Sequence, residues 1–205
     1  MMRIGVFGGT FDPPHLGHLI LAEEAISQLN LEYILFVLTA SPPHKDYYTI
    51  TPIYERLILL QAAINNNQAF KLSRVDIDRP APHYALDTMK LLSLDYPDDQ
   101  LIYLLGSDSL KDLSKWHHPV SFVSQCFEIG VFLRPNVSYD WVRLDNEISG
   151  LKRKVRFVQT PLLEIASSDI RERINQQRPY RYYVPEIVYD LINTHHFYQK
   201  SRSNQ

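Results

Sequence analysis

Two histidines at the predicted start of a helix form a candidate anion site. His15 and His18 are three residues apart, so they share one helix face. A helix N-terminus offers free N–H groups and a positive dipole end, which favour phosphate. Three interpretations are open: a histidine that only caps or packs the turn, a metal pair with Asp12 that would need further ligands, or two imidazoles that bind a polyphosphate.

The segment before these histidines also suits phosphate. Gly8 and Gly9 end an apolar strand, where glycine permits a positive φ and a close approach of ligand to backbone. The segment lacks the Gly-Lys-Ser/Thr ending of a Walker loop and the Gly-x-Gly-x-x-Gly of a dinucleotide fingerprint. We therefore expect a phosphate site of a different type.

The stretch from Gly8 to His18 reads Gly-Gly-Thr-Phe-Asp-Pro-Pro-His-Leu-Gly-His. It resembles the signature of the nucleotidylyltransferase superfamily, and its Phe-Asp-Pro-x-His form is similar to that of the nicotinate/nicotinamide mononucleotide adenylyltransferases. The resemblance implies that the loop holds the ATP triphosphate and that His18, with His15, acts in catalysis at the α-phosphate. It implies contacts to ATP from Gly8, Gly9, Thr10, Phe11 and Gly17, and to the mononucleotide from Asp12.

Two cationic residues follow other predicted strands. Lys45 ends the run Ser-Pro-Pro-His-Lys, and is either a solvated lysine or, as the family's Pro-x-His-Lys loop implies, a catalytic phosphate ligand. Arg134 comes at the end of the next-to-last strand. It is either a surface residue or an ATP ligand that faces the crevice.

A serine-rich helix start near residue 167 carries a third cation. Ser167 or Ser168 is a natural N-cap. Arg171 is expected in the first turn, where the helix dipole repels a cation by about 0.3–1 kcal/mol, so we expect an anion to compensate it. The stretch resembles the family's Ile-Ser-Ser-Thr-x-Ile-Arg motif, with Ala166 and Ser168 as departures. The resemblance implies ATP contacts from both serines and a catalytic Arg171.

Two further segments resemble the mononucleotide site of the family. The segment that begins at His83 is similar to Ser-Tyr-Thr-x-Asp-Thr, with His83 for Ser and Ala85 for Thr. The alanine removes one hydroxyl contact to a pyridine carboxylate. The implied mononucleotide contacts in this segment are Ala85, Asp87 and Thr88.

Asp108 follows a strongly apolar strand. It is either a helix N-cap or, as the family pattern Gly-x-Asp-x-Leu plus Trp implies, a ribose ligand of the ATP site. The resemblance also implies that Trp116 stacks on the pyridine ring, because a flat indole can cover a flat cation. His117 follows at a place where the family often has an aromatic residue, and we expect it to contact the mononucleotide.

Short β-rich runs alternate with helical ones along the chain. The predicted strands are residues 4–7, 33–38, 70–75, 101–105, 128–133 and 155–158, and the predicted helices are 17–29, 52–65, 84–94, 168–176 and 185–193. This alternation predicts an α/β fold with a doubly wound parallel sheet, and the resemblance implies its Rossmann-like nucleotidylyltransferase form. Ligands of such sheets bind beyond the carboxyl ends of the strands. We expect one domain over residues 1–200, helical from about 160, and a polar tail at 201–205.

Composition excludes several classes of protein. The 205 residues carry 21 Lys plus Arg and 23 Asp plus Glu, a net charge of −2, which argues against binding to a nucleic acid polymer. No apolar run reaches the roughly 18 residues of a membrane span. Cys126 is the single cysteine, which is typical of a reducing cytoplasm. The C-terminal tyrosines are expected to pack the last helices, and self-association of the chain is the alternative.

The resemblance implies an adenylyltransferase that joins nicotinate mononucleotide to the AMP moiety of ATP, giving deamido-NAD and pyrophosphate in NAD biosynthesis. Mg²⁺ is expected to arrive with ATP, without protein ligands of its own. Two alternatives remain. One is the same chemistry on nicotinamide mononucleotide or another phosphorylated acceptor, and the other is a nucleotide-binding regulator that does not catalyse.

Overall fold

A parallel sheet of six strands, in the order β3-β2-β1-β4-β5-β6, forms the centre of the protein. The computed structural model describes residues 1–40, 50–133 and 138–199. The strands are β1 (Arg3–Gly9), β2 (Tyr33–Leu38), β3 (Phe70–Ser73), β4 (Gln100–Gly106), β5 (Glu128–Phe132) and β6 (Val155–Val158). Each neighbouring pair is parallel, which confirms the predicted doubly wound α/β fold.

Helices cover the sheet. In the described ranges they are α1 (Leu16–Leu29), α2 (Ile53–Ile64), α3 (Ala85–Asp95), α4 (Ser107–Lys111), α5 (Pro119–Gln125), α6 (Trp141–Glu147), α7 (Leu151–Lys154), α8 (Ser167–Asn175) and α9 (Glu186–His195). The five predicted helices are present with bounds within two residues. The sequence did not predict α4 to α7, because helices of one or two turns show too little periodicity.

Both faces of the sheet are buried. Along β2 every residue is buried, with Leu35 in the core on one face and Phe36 in the core on the other. Strands buried on both faces have continuous apolar sequences, which is why they could be predicted. A third apolar cluster joins α2, α8 and α9 through side chains such as Leu59, Ile170 and Ile192. The helical C-terminal part therefore packs on α2.

The strand order changes direction at β1. The chain runs from β1 outward through β2 to β3, and then crosses to β4 on the other side of β1. In such sheets the crevice at this switch point is the usual ligand site. The segments that follow Gly9 of β1 and Gly106 of β4 therefore border the expected site.

Two predictions for the whole chain concern membrane-spanning helices and the bounds of the domain. Among the described helices, none is long and apolar enough to cross a bilayer. The assignment of residues 1–200 to one domain stays a prediction, and residues 200–205 lie outside the described ranges.

Packing at β5 leads to a stability prediction. A Cβ added at Gly130 would lie 2.6 Å from Leu104 Cδ2 and 2.7 Å from Leu29 Cδ1, in the buried core. We expect Gly130→Ala to lower the free energy of unfolding by about 1–3 kcal/mol through overpacking. The matched control is Gly106→Ala, where nothing lies within 4 Å of the new Cβ. Urea unfolding measures both, and an equal loss in the two variants would contradict this account.

Candidate active site

The loop after β1 is shaped by the ring of Phe11. This ring is 2% exposed and lies 5.7 Å from the ring of Phe36 and 4.9 Å from that of His18. Neither Gly8 nor Gly9 uses the positive φ that glycine permits, and the left-handed residue of this loop is Phe11, at φ 45°. The glycines are required for space instead. A Cβ at Gly9 would lie 3.0 Å from the Phe11 ring.

The two histidines of the loop interlock at the start of α1. His15 is the N-cap, and its backbone N–H donates to Nδ1 of His18 at 3.2 Å. The rings stack with centroids 3.7 Å apart and planes 22° from parallel. Gly17 lies between them, where a Cβ would stand 3.0 Å from His15 Nδ1. Since Nδ1 of His18 accepts a hydrogen bond, the proton of its neutral ring is on Nε2, which leaves Nε2–H to donate to a ligand.

The charge state of His18 depends on its surroundings. Burial lowers the pKa of His18 well below its usual value of 6.5, and the neighbouring His15 lowers it further. The ring is therefore neutral at neutral pH in the ligand-free protein. A bound polyphosphate would raise this pKa, because a nearby negative charge stabilises imidazolium.

The N-terminus of α8 is bonded to the same loop. Ser167 Oγ donates to the carbonyl of Pro13 at 2.8 Å, and Arg171 Nη1 donates to the carbonyl of Asp12 at 2.6 Å. The expected N-cap role of Ser167 or Ser168 is wrong, because the N-cap is Ala166 and the Ser167 hydroxyl is bonded to the loop. Residues more than 150 positions apart are thereby joined.

Asp12 is the partner of the cation on α8. Its carboxylate Oδ2 lies 3.8 Å from Arg171 Nη1 and accepts the backbone N–H of Thr51 at 3.3 Å. Arg171 is the fifth residue of α8 and its side chain is 33% exposed. The sequence argument looked for an external anion to compensate Arg171, whereas in this structure the acid that compensates it is Asp12.

The segment after β4 differs in detail from its predicted role. Gly106 is the N-cap of α4 and Asp108 is the second helical residue, so the N-cap interpretation of Asp108 is wrong. The Asp108 side chain is exposed. Ser107 is fully buried, and its Oγ donates to the carbonyl of Phe132 at 2.6 Å. This bond fixes the end of β4 against the end of β5.

The two predicted mononucleotide segments meet in an aromatic contact. Tyr84 is the N-cap of α3, which Ala85 begins, and its ring stacks on that of His117 with centroids 4.0 Å apart and planes 18° from parallel. Trp116 is half-buried and lies 5.3 Å from the ring of Phe122. His117 is exposed and Asp87 is half-buried.

A buried network holds the start of α3. Thr88 Oγ1 donates to Asp76 Oδ1 at 2.7 Å, and Arg79 donates to the same oxygen at 2.9 Å and to the carbonyl of Tyr84 at 3.3 Å. His83 is also buried, with Nε2 3.2 Å from the carbonyl of Arg79. Thr88 thus has a positioning contact inside the protein, and its predicted contact with a mononucleotide stays a prediction.

Lys45 and Arg134 lie outside the described residues. Of the four predicted catalytic residues, the structure brings His15, His18 and Arg171 to one loop. That loop lies at the carboxyl end of β1, beside the segment that follows β4.

Comparisons with known proteins decide the family. Residues 6–173 match the family model described as cytidylyltransferase-like. Over 199 residues the chain is 43% identical to a probable nicotinate-nucleotide adenylyltransferase of Thermomicrobium roseum, covering 97% of this chain and 92% of the relative. The chain belongs to the nicotinate-nucleotide adenylyltransferase family. The resemblance inferred from the loop motif is thus confirmed.

Two further family members extend the comparison. The nicotinate-nucleotide adenylyltransferase of Bacillus subtilis is 35% identical over 199 residues, with 97% of this chain and 100% of the relative covered. The nicotinic acid mononucleotide adenylyltransferase of Plasmodium falciparum, solved in complex with NaAD, superposes with a TM-score of 0.77 at 21% identity. That match covers 97% of this chain and 98% of the other, and it supports the fold.

The sequence did not identify several buried polar residues that lie near the candidate site. Arg56 of α2 is 1% exposed, and Ser107 and Asp76 are also buried. Arg56 precedes the buried Leu59 and Leu60 by three and four residues, so it lies on the apolar face of its helix. A charge on such a face was the available signal. No comparable pattern marks Ser107 or Asp76.

The position of His18 leads to a pH prediction. We expect an imidazole NMR titration of the ligand-free protein, assigned with His18→Gln, to give His18 a midpoint below 6.5. At pH values between the pKa of His18 in the folded protein and its pKa in the unfolded chain, the unfolded chain binds more protons. The free energy of unfolding therefore falls as the pH drops through this range. His18→Gln should reduce this fall. A midpoint at or above 6.5 would contradict the neutral ring.

Proposed function

We propose that the chain catalyses transfer of the AMP moiety of ATP to nicotinate mononucleotide, with deamido-NAD and pyrophosphate as products. The observation that carries the proposal is the joining of His15, His18 and Arg171 around one loop at the carboxyl end of β1. The names of the bacterial relatives, and the NaAD complex of the Plasmodium protein, support the choice of substrates.

The reaction needs no protein base. The mononucleotide phosphate is already an anionic nucleophile, and one of its oxygens forms a bond to the α-phosphorus of ATP. The bond from the α-phosphorus to the bridging oxygen breaks, and pyrophosphate leaves with the electron pair. Catalysis then depends on positioning and on charge stabilisation.

In this scheme His18 stabilises the reacting phosphate. Its Nδ1 accepts the backbone N–H of His15. This bond fixes the ring and leaves Nε2–H as the donor to the phosphate. The neutral ring donates one hydrogen bond from Nε2, and the His15 N–H keeps Nδ1 as an acceptor. His15 supports His18 through the ring stack.

Arg171 neutralises the leaving pyrophosphate. One guanidinium nitrogen, Nη1, is bonded to the Asp12 carbonyl, which fixes the side chain while the other nitrogens donate to phosphate oxygens. Ser167 fixes the helix start against the same loop. ATP contacts from Gly8, Gly9, Thr10, Phe11, Gly17, Asp108 and Ser168, and the roles of Lys45 and Arg134, remain predictions.

The metal of the reaction belongs to the substrate in this proposal. The described residues contain no group of three or more His, Cys, Asp or Glu side chains that could hold a metal ion. In the proposal, Mg²⁺ arrives bound to the triphosphate and keeps water and phosphate oxygens as ligands.

The mononucleotide is placed beside Trp116, with Asp12, Ala85, Asp87, Thr88 and His117 as the predicted contacts. This placement is supported by the stack of Tyr84 on His117, which joins the segment at the start of α3 to the segment that contains Trp116. A cytoplasmic location belongs to the same proposal, and so does self-association of the chain.

A pyrophosphate-release assay tests the substrates. With MgATP, we expect nicotinate mononucleotide, the acceptor for which the relatives are named, to give a kcat/KM at least about tenfold above that of nicotinamide mononucleotide. Phosphopantetheine and glycerol phosphate should be inactive. A preference for another acceptor would replace the proposed substrate, and nucleotide binding without turnover of any acceptor would favour a regulator.

Substitution of His18 tests the mechanism. We expect His18→Ala to lower kcat by about 10²–10³-fold with the fold retained, the size of effect of losing an oriented donor to a developing charge. His195→Ala is the control, since His195 is an exposed residue at the end of α9. Near-wild-type turnover of His18→Ala, in a protein with a normal circular dichroism spectrum, would remove His18 from the mechanism.

A further inference from the structure

A buried arginine holds the segments that follow β1 and β2. Arg56 on α2 is 1% exposed. Its Nε donates to the carbonyl of Thr51 at 2.8 Å, and its Nη1 and Nη2 donate at 2.9, 2.9 and 3.1 Å to three carbonyls that we call the strand-end carbonyls. The strand-end carbonyls are those of Thr10, Thr39 and Ala40.

The strand-end carbonyls lie at the switch point of the sheet. Thr10 follows the last residue of β1, and Thr39 follows the last residue of β2. The backbone N–H of Thr39 donates to the carbonyl of Gly9 at 2.9 Å, so the two chain segments are adjacent. Arg56 therefore binds the carboxyl ends of two neighbouring strands, where the candidate site lies.

The guanidinium is suited to this position. A buried cation is costly unless its donors are bonded, and hydrogen bonds from a charged donor are stronger than neutral ones. A planar fork with five N–H donors can reach several carbonyls at once, whereas a lysine ammonium is a single point charge. Position 56 thus requires the several donors of arginine and not only a positive charge.

The bonds to Arg56 also orient the opposite side of each peptide group. In a planar trans peptide the C=O and the next N–H point in opposite directions. Because the carbonyls of Thr10 and Thr39 face Arg56, the N–H groups of Phe11 and Ala40 face away from it. Neither N–H has a protein acceptor among the described residues. Phe11 is also the residue whose ring contacts His18.

We propose that Arg56 is a positioning residue for nucleotide binding, because it turns the N–H groups of Phe11 and Ala40 toward the phosphates. This inference rests on the proposed function for the identity of the ligand. Arg56 does not touch the substrate. It acts through the backbone, and its permanent charge adds to the positive potential of the site in a low-dielectric interior.

Arg3 offers a matched control at the other end of β1. It is partly buried and donates to the carbonyl of Leu29 at 3.0 Å, to Gln100 Oε1 at 2.9 Å and to Glu128 Oε2 at 2.6 Å. Loss of Arg3 removes hydrogen bonds at the start of β1, and loss of Arg56 removes hydrogen bonds at the segments that follow β1 and β2. Only the loss of Arg56 disturbs the carboxyl end, where the nucleotide is proposed to bind.

The experiment compares Arg56→Lys and Arg56→Met with Arg3→Lys and Arg3→Met. Affinity for a non-hydrolysable ATP analogue with Mg²⁺ is measured by calorimetry, at a temperature where circular dichroism shows each variant folded. We expect Arg56→Met to weaken binding about 10–100-fold, since small misplacements at a binding site have effects of this size. Arg56→Lys should fall between, and the Arg3 variants should stay within about twofold of wild type while losing thermal stability.

Turnover separates positioning from a purely structural role. In the Arg56 variants the KM for MgATP should rise and kcat should fall, while the KM for the mononucleotide changes by less than about threefold. Arg56→Lys keeps the charge and most of the volume, so it decides the matter if Arg56→Met does not fold. Folded Arg56→Lys with wild-type analogue affinity, or equal weakening in the Arg3 variants, would overturn the proposal.

The analogue assay is independent of the acceptor. If wild-type protein binds the analogue but adenylylates no mononucleotide, the proposed function fails while the role of Arg56 is still measured. If turnover is as proposed and the Arg56 variants bind normally, only the inference about Arg56 fails.

Discussion

The loop between β1 and α1 must be held rigid from several directions, because a protein of net charge −2 can bind a polyphosphate only where donors converge. One constraint comes from within, since the N–H of His15 fixes the ring of His18. Another comes from α8, through Arg171 and Ser167. Arg56 supplies the third from α2. Each is a hydrogen bond to or from the loop backbone, and two of the three constraints come from helices outside the loop.

The positive charge of the candidate site is largely neutralised in the free protein. His18 is neutral in the free protein because burial lowers its pKa, and Arg171 is compensated by Asp12. A bound anion would change the second condition, since it competes with the Asp12 carboxylate for the guanidinium of Arg171. The free protein thus avoids two uncompensated charges, and the potential develops when a ligand provides the matching charge.

The sequence predicted the sheet well, because strands such as β2 are buried on both faces and their apolar runs are continuous. It also identified the loop of His15 and His18, whose residues are close together in the chain. It was wrong about the hydroxyl of Ser167, whose partner is distant in the chain. Ser167 would cap α8 by local preference, yet its hydroxyl bonds to Pro13, 154 positions away.

The order of residues alone determined the family, the alternation of strands and helices, and the histidine pair, because each of these is written in neighbouring positions. Only the tertiary structure decided which distant groups hold that pair in place. Arg56 looks like a charge on an amphipathic helix until the chain folds and four backbone carbonyls surround it. Long-range hydrogen bonds to backbone atoms leave no trace in side-chain patterns, since every residue type carries the same carbonyl.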